Sequence, residues 1–168
     1  MKQRWQLPAK LNWTLDVLGK RRDGFHELQS WFLALDWGDV LGFETLDSKS
    51  SSFLSLSGEH GCGIPADLRN LLLLAEKKWR EAGGQAPSLH WQLEKRVPAG
   101  AGLGGGSSNA AAALQILQAT ASRPIPQKVC LELAQSLGSD VGFFFQRGLA
   151  ELRGGRGETV LATGEPPS

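Results

Sequence analysis

Pro98-Ala99-Gly100-Ala101-Gly102-Leu103-Gly104-Gly105-Gly106-Ser107-Ser108-Asn109-Ala110 decides how the whole 168-residue chain is read. Five glycines occupy the seven positions 100–106, and a backbone without Cβ atoms turns tightly and comes close to a ligand. Ala110 to Ala119, rich in Ala, Leu and Gln, predicts a helix. A glycine run that opens onto a helix N-terminus offers unpaired N–H donors and the positive end of a dipole. Such a place suits an anion, most often phosphate. Upstream, Ser88 to Val97 alternates Leu89, Trp91 and Leu93 with His90, Gln92 and Glu94, the pattern of a half-buried strand. Strand, glycine loop and helix together predict a phosphate-binding unit.

Three familiar loops fit less well. A P-loop requires Gly-Lys-Ser/Thr at its end, and no lysine lies between Lys95 and Lys128. Gly100, Gly102 and Gly105 satisfy G-x-G-x-x-G, but a dinucleotide fold also wants an acid about 20 residues on. The first acid after the loop is Glu132. The glycine loop of protein kinases covers the phosphates from another setting, whereas this one runs into a helix.

Length and composition bound the rest. The chain is one domain or part of one, and 41% hydrophobic residues with six tryptophans suffice for a core. A net charge of +1 gives no electrostatic case for nucleic acid or a membrane surface as partner. Cys62 and Cys130 match no metal or redox spacing and read as reduced thiols, which predicts a cytoplasmic protein. Residues 1–7 lack the apolar run of a signal peptide, and no stretch is long enough to span a bilayer.

In chain order, Leu7 to Leu18 predicts one strand with Leu11, Trp13, Leu15 and Val17 on a core face. Lys10, Asn12 and Thr14 then share the polar face. Gly19 to Gly24 is a hairpin turn with basic Lys20, Arg21 and Arg22 at its tip. Leu28–Leu35 and Val40–Thr45 predict strands around a turn at Asp36-Trp37-Gly38-Asp39, and Phe53–Leu56 a further short one. Asp67 is placed to cap a helix bearing Leu68, Leu71, Leu72, Ala75, Trp79 and Ala82 that stops at Gly83-Gly84. Asn70 reads first as a local cap. A helix over Val129–Leu137 ends at Gly138, and Leu149–Leu152 and Glu158–Leu161 close the chain as strands. From the residues alone Asp140, ahead of Phe143-Phe144-Phe145, is either a helix cap or a functional acid. Likewise His26 is either a satisfied histidine or a ligand contact.

The ordered set Pro8-Ala9-Lys10-Leu11-Asn12, Asp23-Gly24-Phe25-His26-Glu27-Leu28-Gln29, Asn70-Leu71, the glycine loop, Ser139-Asp140-Val141 and Gly155-Arg156-Gly157-Glu158 resembles the GHMP kinases. The run Asp23 to Gln29 is most similar to the subgroup that phosphorylates the 2-hydroxyl of a cytidine-diphosphate-linked methylerythritol in non-mevalonate isoprenoid biosynthesis. The resemblance implies an α+β fold, the family's N-terminal, ATP-binding domain over residues 1–168. That domain is ribosomal S5 domain 2-like: a mixed, mostly antiparallel sheet with helices packed on one face. Family members continue into a second half with another glycine-rich motif, which this chain lacks.

The resemblance also assigns the site. ATP, carried with Mg²⁺, would lie along Pro98, Ala99, Gly100, Ala101, Gly102, Leu103, Gly104, Gly105, Gly106, Ser107 and Ser108, with Ser107 or Ser108 near the metal and no fixed protein ligands for it. Lys10 and Asp140 would be catalytic, and Asn12, Phe25, His26 and Phe32 would hold the small-molecule substrate and its cytosine ring. Two positions depart from the family pattern: Phe25, commonly tyrosine, and Gly142, commonly proline. The alternatives are a GHMP kinase for another alcohol or sugar, a nucleotide-binding module without turnover, and an RNA-associated domain of similar fold. The last needs a basic stripe that is missing here.

Overall fold

The computed structural model describes residues 4–20, 24, 26–47, 49–146, 150–155 and 157–164. Its organising element is a strand of 20 residues, β3 (His26–Thr45). β1 (Arg4–Asn12) and β2 (Asp16–Lys20) pair with β3 antiparallel, as do β5 (Leu89–Glu94) and β6 (Ala150–Gly155). β4 (Phe53–Ser57) adds to β5 in parallel and β7 (Thr159–Thr163) to β6 antiparallel. The seven strands form one mixed, mostly antiparallel sheet among the described residues, in the order β4-β5-β3-β6-β7 with β1 and β2 beside β3.

Among the described residues four helices share a core with it. They are α1 (Leu71–Glu81), α2 (Gly105–Thr120), α3 (Gln127–Leu137) and α4 (Ser139–Phe145). Trp79 of α1, Leu114 and Leu117 of α2, Phe143 of α4 and Trp91 of β5 are all fully buried in that core. The fold class matches the sequence-based expectation, and so do β4 to β7 and α3.

Four expectations are corrected. The turn at residues 36–39 is a bend inside β3, not a break. A Cβ at Gly38 would stand 1.7 Å from the Leu7 carbonyl oxygen, so glycine is there to admit β1. Pairing of Gly38 and Asp39 with Pro8 and Leu7 of β1 overrides the turn-like composition. The strand expected over residues 7–18 divides into β1 and β2, and its core face turns outward. Between Pro8 and Lys10 the register slips, Pro8 facing Gly38 and Lys10 facing Ala34. Leu7 and Ala9 point into the core before the slip, whereas after it Lys10 is buried and Leu11, Trp13, Leu15 and Val17 are exposed. An irregularity of this kind moves side chains to the opposite face.

The helix capped by Asp67 begins later. Asn70 is its N-cap, its Oδ1 accepting from Leu72 N–H at 3.1 Å, while Asp67 binds Arg69 and Leu68 is exposed. Finally, α2 starts five residues before Ala110. Glycine disfavours helix in isolation, but Gly105 packs so closely on Val97 that a Cβ would lie 2.9 Å from its side chain. Packing extends the helix into the glycine run.

Candidate functional site

The loop between β5 and α2 is held at both ends. At its start Asp39, fully buried on β3, accepts the N–H groups of Arg96 and Val97 at 2.8 and 2.9 Å and pairs with the buried ammonium of Lys95. At its end the Lys10 N–H of β1 donates to Leu103 O at 2.9 Å. Gly104 then takes a left-handed conformation, φ +69°, as the N-cap of α2. A Cβ there would meet Phe144 at 2.9 Å and the Lys10 side chain at 3.0 Å. The first helical hydrogen bond runs from Ser108 N–H to Gly104 O, so the amides of Gly105, Gly106 and Ser107 have no partner within the helix.

These groups line a cavity of about 350 Å³ walled by Pro98 to Ser107, Lys95 and Asn109. Ile64, Pro65, Arg69 and Asn70 close its far end. Ser107 faces this cavity; Ser108, buried, lines a second, apolar cavity toward β1. Arg69, which lines the far end of the glycine-loop cavity, draws the exposed Asp67 carboxyl down to about 2 through its hydrogen bonds.

Lys10 is the neighbour that matters. Its side chain is 7% exposed, and its ammonium lies 3.6 Å from Asp140 Oδ2, 4.6 Å from the centroid of the Phe32 ring, and donates to Asn12 Oδ1. Asn12 Nδ2 donates to the buried Ser30 Oγ at 2.7 Å, and that hydroxyl donates to Thr14 O. Asp140 is the second residue of α4, whose N-cap is Gly138. Asp140 is therefore not a cap, and its carboxylate stays about a quarter exposed next to the cation. An ammonium and a carboxylate converging beside a row of main-chain donors can bind an anion and manage a proton.

The expected site residues thus separate. Lys10, Asn12, Asp140 and the loop residues come together. Phe32 lies close by, but it is 4% exposed and packs edge-on against Phe143 at 5.7 Å. Its ring supports Lys10 from inside the core and presents no open face for a base. His26 sits exposed at the start of β3, opposite Lys20. Phe25 lies outside the described residues.

Sequence reasoning missed two buried ion pairs that brace the site. Asp39–Lys95 fixes the start of the loop. Arg153 pairs with Glu151 and donates to Gly157 O at 2.9 Å and to Ser139 O at 3.3 Å, just before Asp140. Neither pair has a sequence signal, since 56 residues separate Asp39 from Lys95 and the second lies in an ordinary strand.

Comparison with known proteins agrees with this architecture. The family described as "GHMP kinases N terminal domain" matches residues 70–148. Over most of its length the chain is similar to 4-diphosphocytidyl-2-C-methyl-D-erythritol kinases. The enzyme of Polaromonas sp. is 43% identical over 151 residues, covering 88% of this chain and 49% of that protein. The chloroplastic enzyme of Arabidopsis thaliana is 40% identical over 153 residues, 91% of this chain and 39% of that one. A crystal structure of 4-(cytidine 5'-diphospho)-2C-methyl-D-erythritol kinase superposes with a TM-score of 0.79 at 36% identity, covering 98% of this chain and 56% of that chain. The chain spans about half the length of these relatives.

Proposed function

We propose that this chain is the N-terminal, ATP-binding part of a small-molecule kinase that phosphorylates the 2-hydroxyl of 4-diphosphocytidyl-2-C-methyl-D-erythritol. The observation that carries this is the approach of Lys10 Nζ to Asp140 Oδ2, 3.6 Å, beside a glycine loop tied to the Lys10 backbone. The triphosphate lies along residues 100–107, its oxygens accepting the unpaired amides at the start of α2. The nucleoside end extends toward Ile64, Pro65 and Asn70.

The transfer is a displacement at phosphorus. A bond forms from the substrate hydroxyl oxygen to the γ-phosphorus, the bond to the β,γ-bridging oxygen breaks, and ADP leaves. Asp140 accepts the hydroxyl proton. An aspartate is a weak base, so Lys10 assists by holding the hydroxyl oxygen and neutralising the charge that grows on it. Asn12, locked by Ser30, keeps the ammonium in place. His26 reads the polar edge of the cytosine.

Among the described residues no three His, Cys, Asp or Glu side chains gather as a metal cage. The donors present fit a magnesium ion that arrives on the nucleotide, with Ser107 on the cavity wall. Bound there, magnesium would neutralise charge on the β- and γ-phosphate oxygens. The reduced cysteines, Cys62 exposed and Cys130 buried, suit a reducing compartment. We read that compartment as the cytoplasm, although the plant relative is named chloroplastic.

The test is turnover of ATP and the cytidyl substrate followed by ³¹P NMR. Lys10→Ala and Asp140→Ala should each lower the rate by about 10²-fold or more. Unchanged turnover in both variants would remove the assignment.

A further inference from the structure

Gly155-Arg156-Gly157-Glu158 belongs to the ordered set of motifs but has no part in the transfer chemistry. Gly157 there is left-handed, φ +98°, and packs so closely on Phe32 that a Cβ would lie 3.2 Å from the end of its ring. That ring is the one beneath the Lys10 ammonium. The Gly157 carbonyl oxygen accepts from Arg153 Nη1 at 2.9 Å, and the same nitrogen donates to Ser139 O at 3.3 Å. One guanidinium nitrogen therefore holds the support of both partners of the Lys10–Asp140 pair. It reaches Phe32 through Gly157, and Asp140 through the residue before it.

Asp140 needs such a hold. α4 has seven residues, and its N-cap, Gly138, supplies no side-chain hydrogen bond to the first turn. A helix that short does not fix its own position in water. Arg153 is 2% exposed, and its guanidinium carbon lies 5.4 Å from the Phe143 ring centroid and 5.8 Å from that of Phe32. Its Nε and Nη2 donate to Glu151 Oε2, which neutralises the charge. A buried pair of this kind adds little to stability over apolar residues of similar volume. Its consequence lies in what the remaining edge of the guanidinium grips. A lysine could pair with Glu151 but, as a point charge, could not also span both carbonyls.

We propose that Arg153 is a positioning residue that sets the approach of Asp140 to Lys10, by clamping the first turn of α4 to Gly157 against Phe32. This rests on the kinase reading of that pair and adds the residue that holds it together.

The experiment has two readouts on the 168-residue chain. The first is the NMR signal of the Lys10 side chain, which Asp140→Asn should shift in the wild-type background. That response should be lost in Arg153→Lys and in Arg153→Met combined with Glu151→Leu. The double variant removes both charges together and should melt close to wild type. The second readout is turnover. Both variants should lose about 10²-fold in kcat, the cost of misplacing a reacting group by about 1 Å. KM for ATP and for the cytidyl alcohol should stay within about twofold, because neither binding surface is touched.

A Lys10 response to Asp140→Asn that persists in both variants overturns the proposal. So does an unchanged kcat, or a KM that rises as kcat falls. Should the double variant fail to fold, Arg153→Lys, which keeps the charge beside Glu151, decides by the same two readouts. Wild type without turnover removes the kinase reading, and the Lys10 signal then decides the positioning by itself. Wild type in which Asp140→Asn leaves that signal unmoved removes the pair, and both readings with it.

Discussion

At the scale of single residues, the site depends on a few side chains held more tightly than their chemistry alone requires. Gly104 is one such position. Its positive φ and the contacts a Cβ would make with Phe144 and Lys10 predict that Gly104→Ala destabilises the chain by about 1–3 kcal/mol. It should also weaken nucleotide binding, because the α2 amides shift with it; urea unfolding and titration measure the two effects. His26 belongs to a different class, exposed and away from the buried network. His26→Ala should raise KM for the cytidyl substrate and leave kcat nearly unchanged, the signature of lost uniform binding. A fall in kcat at constant KM would move His26 into the transfer step. The pairing of Lys10 with Asn12 was legible from strand alternation alone. The place of Phe32 was not, because alternation gives the face of a residue and not what covers it.

Among the elements, the glycine loop works because three strands fix its ends. Asp39 does this from the middle of β3, joining the Lys95 ammonium and two amides of the segment after β5. Asp39→Asn removes the charge that balances a buried lysine, and breaking such a pair costs about 3–5 kcal/mol. Chemical denaturation should show that loss, and nucleotide affinity should fall as the loop start loosens. An unchanged midpoint would contradict the bracing role. The elements differ in how plainly the sequence announces them. β5 shows through strict alternation and α3 through its stop at Gly138, whereas α4 (Ser139–Phe145), with its unbroken Phe143-Phe144-Phe145 run, carries no helical period. The start of α2 was hidden by glycine's low helix propensity, and the length of β3 by turn-like residues 36–39. In each case a tertiary contact, Gly105 on Val97 or Gly38 on β1, outweighs the local preference.

At the scale of the molecule, the buried core of the described residues contrasts with an exposed apolar ribbon. Leu11, Trp13, Leu15, Val17 and Leu18 follow the register slip in β1 and are all exposed, Trp13 by 53%. We expect Trp13→Ser with Leu15→Ser to raise solubility and leave the melting temperature nearly unchanged. A large drop in that temperature would mean the ribbon is packed. The cysteines report on the core. Burial pushes the Cys130 thiol up to about 11, while Cys62 is exposed. A disulfide-exchange reagent at pH 8 should therefore titrate one thiol in the native chain and two after unfolding. The unfolded thiol ionises first, so this contribution to stability is complete below the ordinary thiol pKa and is lost as pH rises toward 11.

The most direct test of the account is a crystal structure of the chain with a non-hydrolysable ATP analogue and the cytidyl alcohol. The account predicts the terminal phosphate on the α2 amides and the acceptor hydroxyl between Lys10 Nζ and Asp140, about 3–3.5 Å from phosphorus. A nucleotide bound elsewhere, or a hydroxyl out of reach of both side chains, would contradict it.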